Sequence, residues 1–225
     1  MSTYKLYDFT KNGPGELNRL VLIQGGQQFE DVRISQEDWP GVKEQMPWGN
    51  LPVLEVDGKK LAGTTAITSY LGEKLGLAGD NQWDRAQLES IADIVAETVI
   101  IMSRYWSEKD SSRKAEKKSE IWKDAIPSRL ARINKCIEKN NSPDGYIYGN
   151  KVTYADLCVF FLFTEVLPRQ YPEAESWRAE ADKYPAVGRL CKTVCNLPNI
   201  KKYLDSRRIQ PDGDQTDSDP GHFYE

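Results

Sequence analysis

Residues 29–61, FEDVRISQEDWPGVKEQMPWGNLPVLEVDGKKL, decide the fold. The first six alternate apolar and polar, as a strand with one buried face does. Residues 51–56 and 60–62 flank Asp57-Gly58, a strong hairpin turn signal. Pro52 sits inside that strand pattern, where a proline needs a special cause. Upstream, Tyr4–Phe9 reads as a short strand, with Tyr4, Leu6 and Asp8 on one side and Lys5, Tyr7 and Phe9 on the other. Residues 16–24 (ELNRLVLIQ) form a helix that stops at Gly25-Gly26, and residues 64–75 form another. The expected order is strand, helix, strand, loop, strand, strand, helix.

Everything after residue 80 reads as helical. Residues 82–105 are long and amphipathic. The run 107–120 (SEKDSSRKAEKKSE) is charge-dense with alternating sign, which marks a solvated loop and helix start. Residues 120–138 continue as a helix interrupted by Pro127. The segment 153–167 (TYADLCVFFLFTEVL) is apolar almost all round, the pattern of a central buried helix. Thr153 stands three residues before Asp156, a capping-box spacing with Asp in the acidic place. Residues 185–206 supply one or two closing helices. Three parts are expected: an α/β domain over 1–80, an all-α domain over 81–208, and an acidic tail over 209–225.

Composition excludes several classes. The chain has 225 residues, 30 Lys+Arg against 34 Asp+Glu, and a formal net charge of −4. That balance argues against a nucleic-acid partner, which wants a basic face. No apolar run approaches the ~18–20 residues of a membrane span. The N-terminus lacks the layout of a signal peptide, so a cytoplasmic protein with unbridged thiols is expected. The four cysteines, Cys136, Cys158, Cys191 and Cys195, read as structural thiols. No metal is expected, because the single histidine, His222, stands far away in the tail. Five acids and no base crowd into residues 211–225, so most of the acidity belongs to the tail.

This order of elements resembles the glutathione transferase architecture, and particular residues narrow it to the sigma class. The opening YKLYDF, the whole of 29–61, AITSYLGEKLGLAG (66–79) and NKVTYADL (150–157) all resemble that class. So does YPAVGRLCKTVCNLPNIKKYLDSRR near the end; the similarity covers about residues 3–208. Invertebrate sigma transferases, haematopoietic prostaglandin D synthases and the S-crystallins belong to it. The resemblance implies a thioredoxin-like N-terminal domain that binds glutathione, an all-helical domain that receives a small hydrophobic electrophile, and a homodimer. It implies that Leu51-Pro52 is the family's cis-proline step, offering the Leu51 backbone to the cysteinyl part of glutathione. It carries Trp39, Lys43 and Asn50 over as contacts to glutathione, and Gly63-Thr64 as the opening of the helix that meets the γ-glutamyl carboxylate. Glu97 matches one of two acids that reach across a dimer; the other corresponds to Ala96, while Asp93 also matches a family acid. Gly13, Arg104 and Tyr105 fall at the second-substrate pocket.

The departures sit on the chemistry. The family places a tyrosine at the end of the first strand, where its hydroxyl lowers the thiol pKa. Here that position is Asp8. An ionised carboxylate would oppose a thiolate, and a protonated one could donate only in an apolar pocket. Tyr7 points to the other face unless a one-residue bulge turns it in. Thr10 lies near the place where some relatives of the class keep a serine. Asp8, Tyr7 and Thr10 therefore stay open as catalytic candidates. The loop arginine is replaced by Pro14 and the usual amide by Gly63. Three readings follow: a transferase or glutathione-dependent isomerase, a non-catalytic crystallin-like or ligand-binding descendant, and a specialised enzyme with Asp8 as general acid/base.

Overall fold

The computed structural model describes residues 2–10, 13–170 and 174–208. The proposed tail with His222, and Asn12 of the first loop, lie outside the described residues. The chain divides into two units. One comprises residues up to Arg85 together with the closing helix; the other runs from Ala86 to Asn196.

The first unit is built on a four-stranded sheet: β1 (Tyr4–Phe9), β2 (Glu30–Ile34), β3 (Val53–Val56) and β4 (Lys59–Ala62). The spatial order is β2-β1-β3-β4, with β1 parallel to β2 and antiparallel to β3. The hairpin forms at Asp57-Gly58, where both residues have positive φ (50° and 80°), as a tight two-residue turn requires. β3 begins at Val53 rather than at residue 51, because the Leu51-Pro52 peptide is cis and precedes the ladder. The loop before it holds a short helix, α2 (Trp39–Val42), and two 3₁₀ turns.

Alternation along β1 sorts the faces as expected. On one face Tyr7, Val32, Trp39, Val42 and Leu51 pack around Ile34, Met46, Val53 and Ala62. The other face, carrying Leu6, Asp8 and Leu54, lies against α1 (Gly15–Gln24) and α3 (Thr64–Lys74). The two helices are stitched by Asn18, whose amide donates to Thr68 Oγ1 at 2.9 Å and to the Thr64 carbonyl at 3.0 Å.

The second unit is helical. Its elements are α4 (Gln82–Trp106, starting in the first unit), α5 (Ser111–Glu120), α6 (Ile126–Asn140), α7 (Tyr154–Phe161), α8 (Ala174–Ala181) and α9 (Pro185–Cys195). Pro127 does not break the chain in two. A π-helical turn, Ile121–Ala125, bridges α5 to α6, with the Ile126 N–H reaching the Ile121 carbonyl five residues back. Proline removes the donor that would close the next α-type bond, and the widened turn absorbs the loss. Every residue of α7 is buried. At its start the Asp156 carboxylate accepts from the Thr153 N–H and hydroxyl, both at 2.8 Å, and from the Ile147 N–H at 2.8 Å. Burial pushes the Asp156 carboxyl up to about 6, against those three donors. A second π turn, Leu162–Val166, ends that helix.

Residues 185–206 hold two helices, α9 and α10 (Pro198–Arg208). The expected 81–208 part placed α10 with the helical half. Its contacts put it in the first unit, where Asn199 donates to the Gln24 carbonyl at 3.2 Å and Tyr203 meets Glu16. None of the four cysteines forms a disulfide, but Cys136 is exposed rather than packed, because it sits on the outer side of α6.

Candidate active site

The Leu51-Pro52 step is the reference point. The Pro52 carbonyl accepts from the Gly63 N–H at 3.3 Å, tying the step to the entry of α3. Gly63 has φ +98°, a conformation that L side chains rarely adopt. This explains the glycine: it opens the helix without backbone strain, where an amide side chain would be strained. Thr64 is the first helical residue, and no side chain caps this N-terminus. Its leading N–H groups and the helix dipole remain available to a carboxylate.

The loop between β2 and β3 brings in further groups. Trp39 is half-buried in the cluster that also holds Leu51, and meets Phe9 edge-to-face at 5.3 Å. Lys43 is exposed, its stem running over Gly49, and Asn50 is exposed with extended backbone. Trp39, Lys43, Asn50, Leu51, Pro52, Gly63 and Thr64 therefore all belong to the first unit. The set suits a peptide ligand with carboxylates: a cation, free helix-terminal N–H groups, and an open backbone edge ahead of β3.

The three catalytic candidates separate clearly. β1 pairs with β2 in unbroken register from Lys5↔Glu30 to Phe9↔Ile34, so no bulge turns Tyr7 inward. The Tyr7 hydroxyl donates to Glu55 Oε2 at 3.1 Å, and Lys60 Nζ lies 5.3 Å from its ring centroid. Burial, then Glu55, raises its pKa. Tyr7 thus packs in the cluster with Trp39 and Leu51, its hydroxyl taken by Glu55. Asp8 is 2% exposed; its Oδ2 lies 3.6 Å from Arg19 Nη2 and accepts no hydrogen bond. Burial pushes its carboxyl up to about 6, against the pull of Arg19. Thr10 follows the strand directly; its N–H donates to the Ile34 carbonyl at 3.1 Å and its side chain is exposed. Gly13 starts the turn into α1 by accepting from the Glu16 N–H at 3.0 Å.

The remaining candidates lie in the second unit. Glu97 on α4 is exposed and faces Arg129 Nη2 at 3.6 Å. Arg104 is exposed. Tyr105 is buried, with Lys114 Nζ 5.4 Å from its ring centroid. Its ring is therefore chiefly a packing group of that unit.

One feature is absent from the candidates named from sequence. Arg19, 2% exposed, binds Asp31 through two bonds of 3.0 Å and Glu16 at 2.7 Å. Glu16, fully buried, accepts from Tyr203 at 2.8 Å and from Arg207 at 3.1 Å. Burial alone would raise the Glu16 carboxyl; Arg207 and Arg19 outweigh it and hold it low. The sequence shows Glu16 and Arg19 three residues apart in ELNRLVLI, a spacing that on a helix usually reads as a solvated pair.

Residues 2–73 match the profile of the glutathione S-transferase N-terminal domain, and residues 97–207 that of the C-terminal domain. Glutathione S-transferase 1 of Ascaris suum is 35% identical over 217 residues, covering 94% of this chain and 100% of the relative. Glutathione S-transferase 2 of Manduca sexta is 35% identical over 188 residues, covering 83% and 88%. Among solved structures, prostaglandin synthase D of Nilaparvata lugens superposes with a TM-score of 0.80 at 33% identity, covering 92% of this chain and 100% of the other. A glutathione S-transferase of Necator americanus described as monomeric, Na-GST-3, gives 0.78 at 28% identity, covering 93% and 99%.

Proposed function

The chain belongs to the glutathione S-transferase family, and from that premise we propose that it is a sigma-like glutathione transferase or glutathione-dependent isomerase whose thiol is supported by Thr10. The observation that carries this reading is the frame around Leu51-Pro52, with exposed Lys43 and Asn50 and the uncapped start of α3. Lys43 would meet a carboxylate, the α3 N–H groups another, and the Leu51 backbone the peptide between them. Thr10 supports the reading by elimination: Tyr7 is hydrogen-bonded to Glu55, and Asp8 is buried beside Arg19. A hydroxyl donating to the sulfur stabilises the thiolate, the attacking species.

The test is conjugation of an aromatic halide. Thr10→Val should lower kcat at least about tenfold with the glutathione Kd little changed, and Thr10→Ser should keep most of the rate. Unchanged turnover in Thr10→Val would exclude Thr10.

A second reading is a non-catalytic, ligand-binding descendant. It is favoured by Asp8, which puts a buried carboxylate where the class keeps its tyrosine. Turnover above the uncatalysed rate removes it. The third reading, Asp8 as general acid/base, is weakened by its 2% exposure. We further propose a homodimer in the cytoplasm. The exposed Trp48, held at φ 59°, and the absence of disulfides among the four cysteines support these assignments. Sedimentation at micromolar chain concentration decides between two copies and the monomeric state named for Na-GST-3.

A further inference from the structure

Under the first turn of α1 lies a cluster of six charges. Asp8, Glu16 and Asp31 stand against Arg19, Arg33 and Arg207. Asp31 and Glu16 are hydrogen-bonded through both oxygens. Asp8 Oδ2 is not, and it presses on Gly15, where an added Cβ would lie 2.2 Å away. With Asp8 ionised the cluster is balanced. With a neutral group there, one positive charge is left in excess.

The register says what this balance acts on. The last β1–β3 pair is Tyr7↔Val53, so Asp8 and Pro52 each lie one residue beyond the same end of that ladder. The Asp8 carboxyl is buried, so a charge on it acts with little solvent screening.

We propose that Asp8, held by Arg19, is an electrostatic brake on the bound glutathione thiol. It disfavours the thiolate through space without touching the sulfur. The proposal rests on the reading of the Leu51-Pro52 frame as the glutathione site. The groups facing Asp8 are Glu16 and Arg19 from α1 and Asp31 and Arg33 from β2, with Tyr203 and Arg207 of α10 one step behind Glu16. β3 presents Leu54 to the same face, and Tyr7 and Glu55 lie on the other. A carboxyl that titrates at about 6 is ionised at neutral pH, so the brake is on under neutral conditions and released as the medium acidifies. Arg19 is a positioning residue: its ion pair keeps the Asp8 carboxylate in place.

The experiment is a titration of glutathione thiolate absorbance in the ultraviolet, on the full chain saturated with glutathione. Wild type is compared with Asp8→Asn, Asp8→Ser and Glu55→Gln, the last removing an acid from the opposite face. Both Asp8 variants should lower the thiol midpoint by about one pH unit, giving about tenfold more thiolate well below the midpoint, and Glu55→Gln should not. If neither Asp8 variant folds, the wild-type curve decides: an inflection near pH 6 beside that of the thiol supports the brake, and a single-group curve overturns it. Saturable binding with an unmoved midpoint overturns the brake alone. No saturable binding by wild type overturns the site reading and the brake together.

Discussion

Gly15 is glycine because of Asp8. A methyl group at 15 would occupy the volume of the Asp8 carboxyl, whose Oδ2 lies 2.2 Å from that point. Gly15→Ala should therefore destabilise the folded chain by about 1–3 kcal/mol, and much of the loss should vanish in an Asp8→Gly background. A double-mutant cycle of urea melts measures the coupling. Asp8 also predicts a pH dependence. Its folded carboxyl titrates at about 6 against an ordinary 3.8. Between those values the folded state keeps a proton that the unfolded state has lost. Stability is thus fully present below about pH 4 and falls as pH rises through about 6. Asp156 acts in the same direction, so the difference between wild type and Asp8→Asn isolates Asp8. Asp8→Asn should remove up to about 3 kcal/mol of that fall. Equal slopes for the two proteins would show that burial does not govern this carboxyl. The sequence announced a misplaced acid at position 8, but its partner Arg19 was not legible, because an i, i+3 pair on an amphipathic helix usually faces water.

At the level of elements, the ends of β1 and the hairpin turn were readable to the residue, since alternation and Asp57-Gly58 leave little freedom. The same holds for Thr153 and Asp156. Asp156→Ala strips three donors of their acceptor at the start of a fully buried helix. It should cost about 3 kcal/mol or more, read as a lower midpoint in thermal unfolding. Gly63→Ala should cost about 1–2 kcal/mol through φ alone, because nothing lies within 4 Å of the added methyl. A loss near zero would mean that the backbone relaxes there. The π turns were not readable. Both depend on how neighbouring turns share hydrogen bonds, which no local composition records. α8 was missed because AESWRAEA is short and carries a weak pattern.

For the molecule as a whole, the α/β order followed by helices was enough to name the architecture, and quoted stretches from residue 3 to 208 were enough to name the family. The attachment of α10 was less legible. Its tie to Glu16 spans 187 residues of sequence, and its partners, a tyrosine and an arginine, look like surface residues on their own helix. The proposed glutathione frame could be named from sequence, since Trp39, Lys43, Leu51-Pro52 and Thr64 lie in one contiguous part of the chain. Which group would support the thiol was not legible, because it turns on which way the side chains of Tyr7, Asp8 and Thr10 face. Calorimetric titration of glutathione into the full chain, beside Lys43→Ala and Thr64→Val, tests the frame most directly. The account predicts saturable binding at one site per chain, weakened about tenfold by each change. Absence of saturable binding by wild type, or equal affinity in both variants, would contradict it.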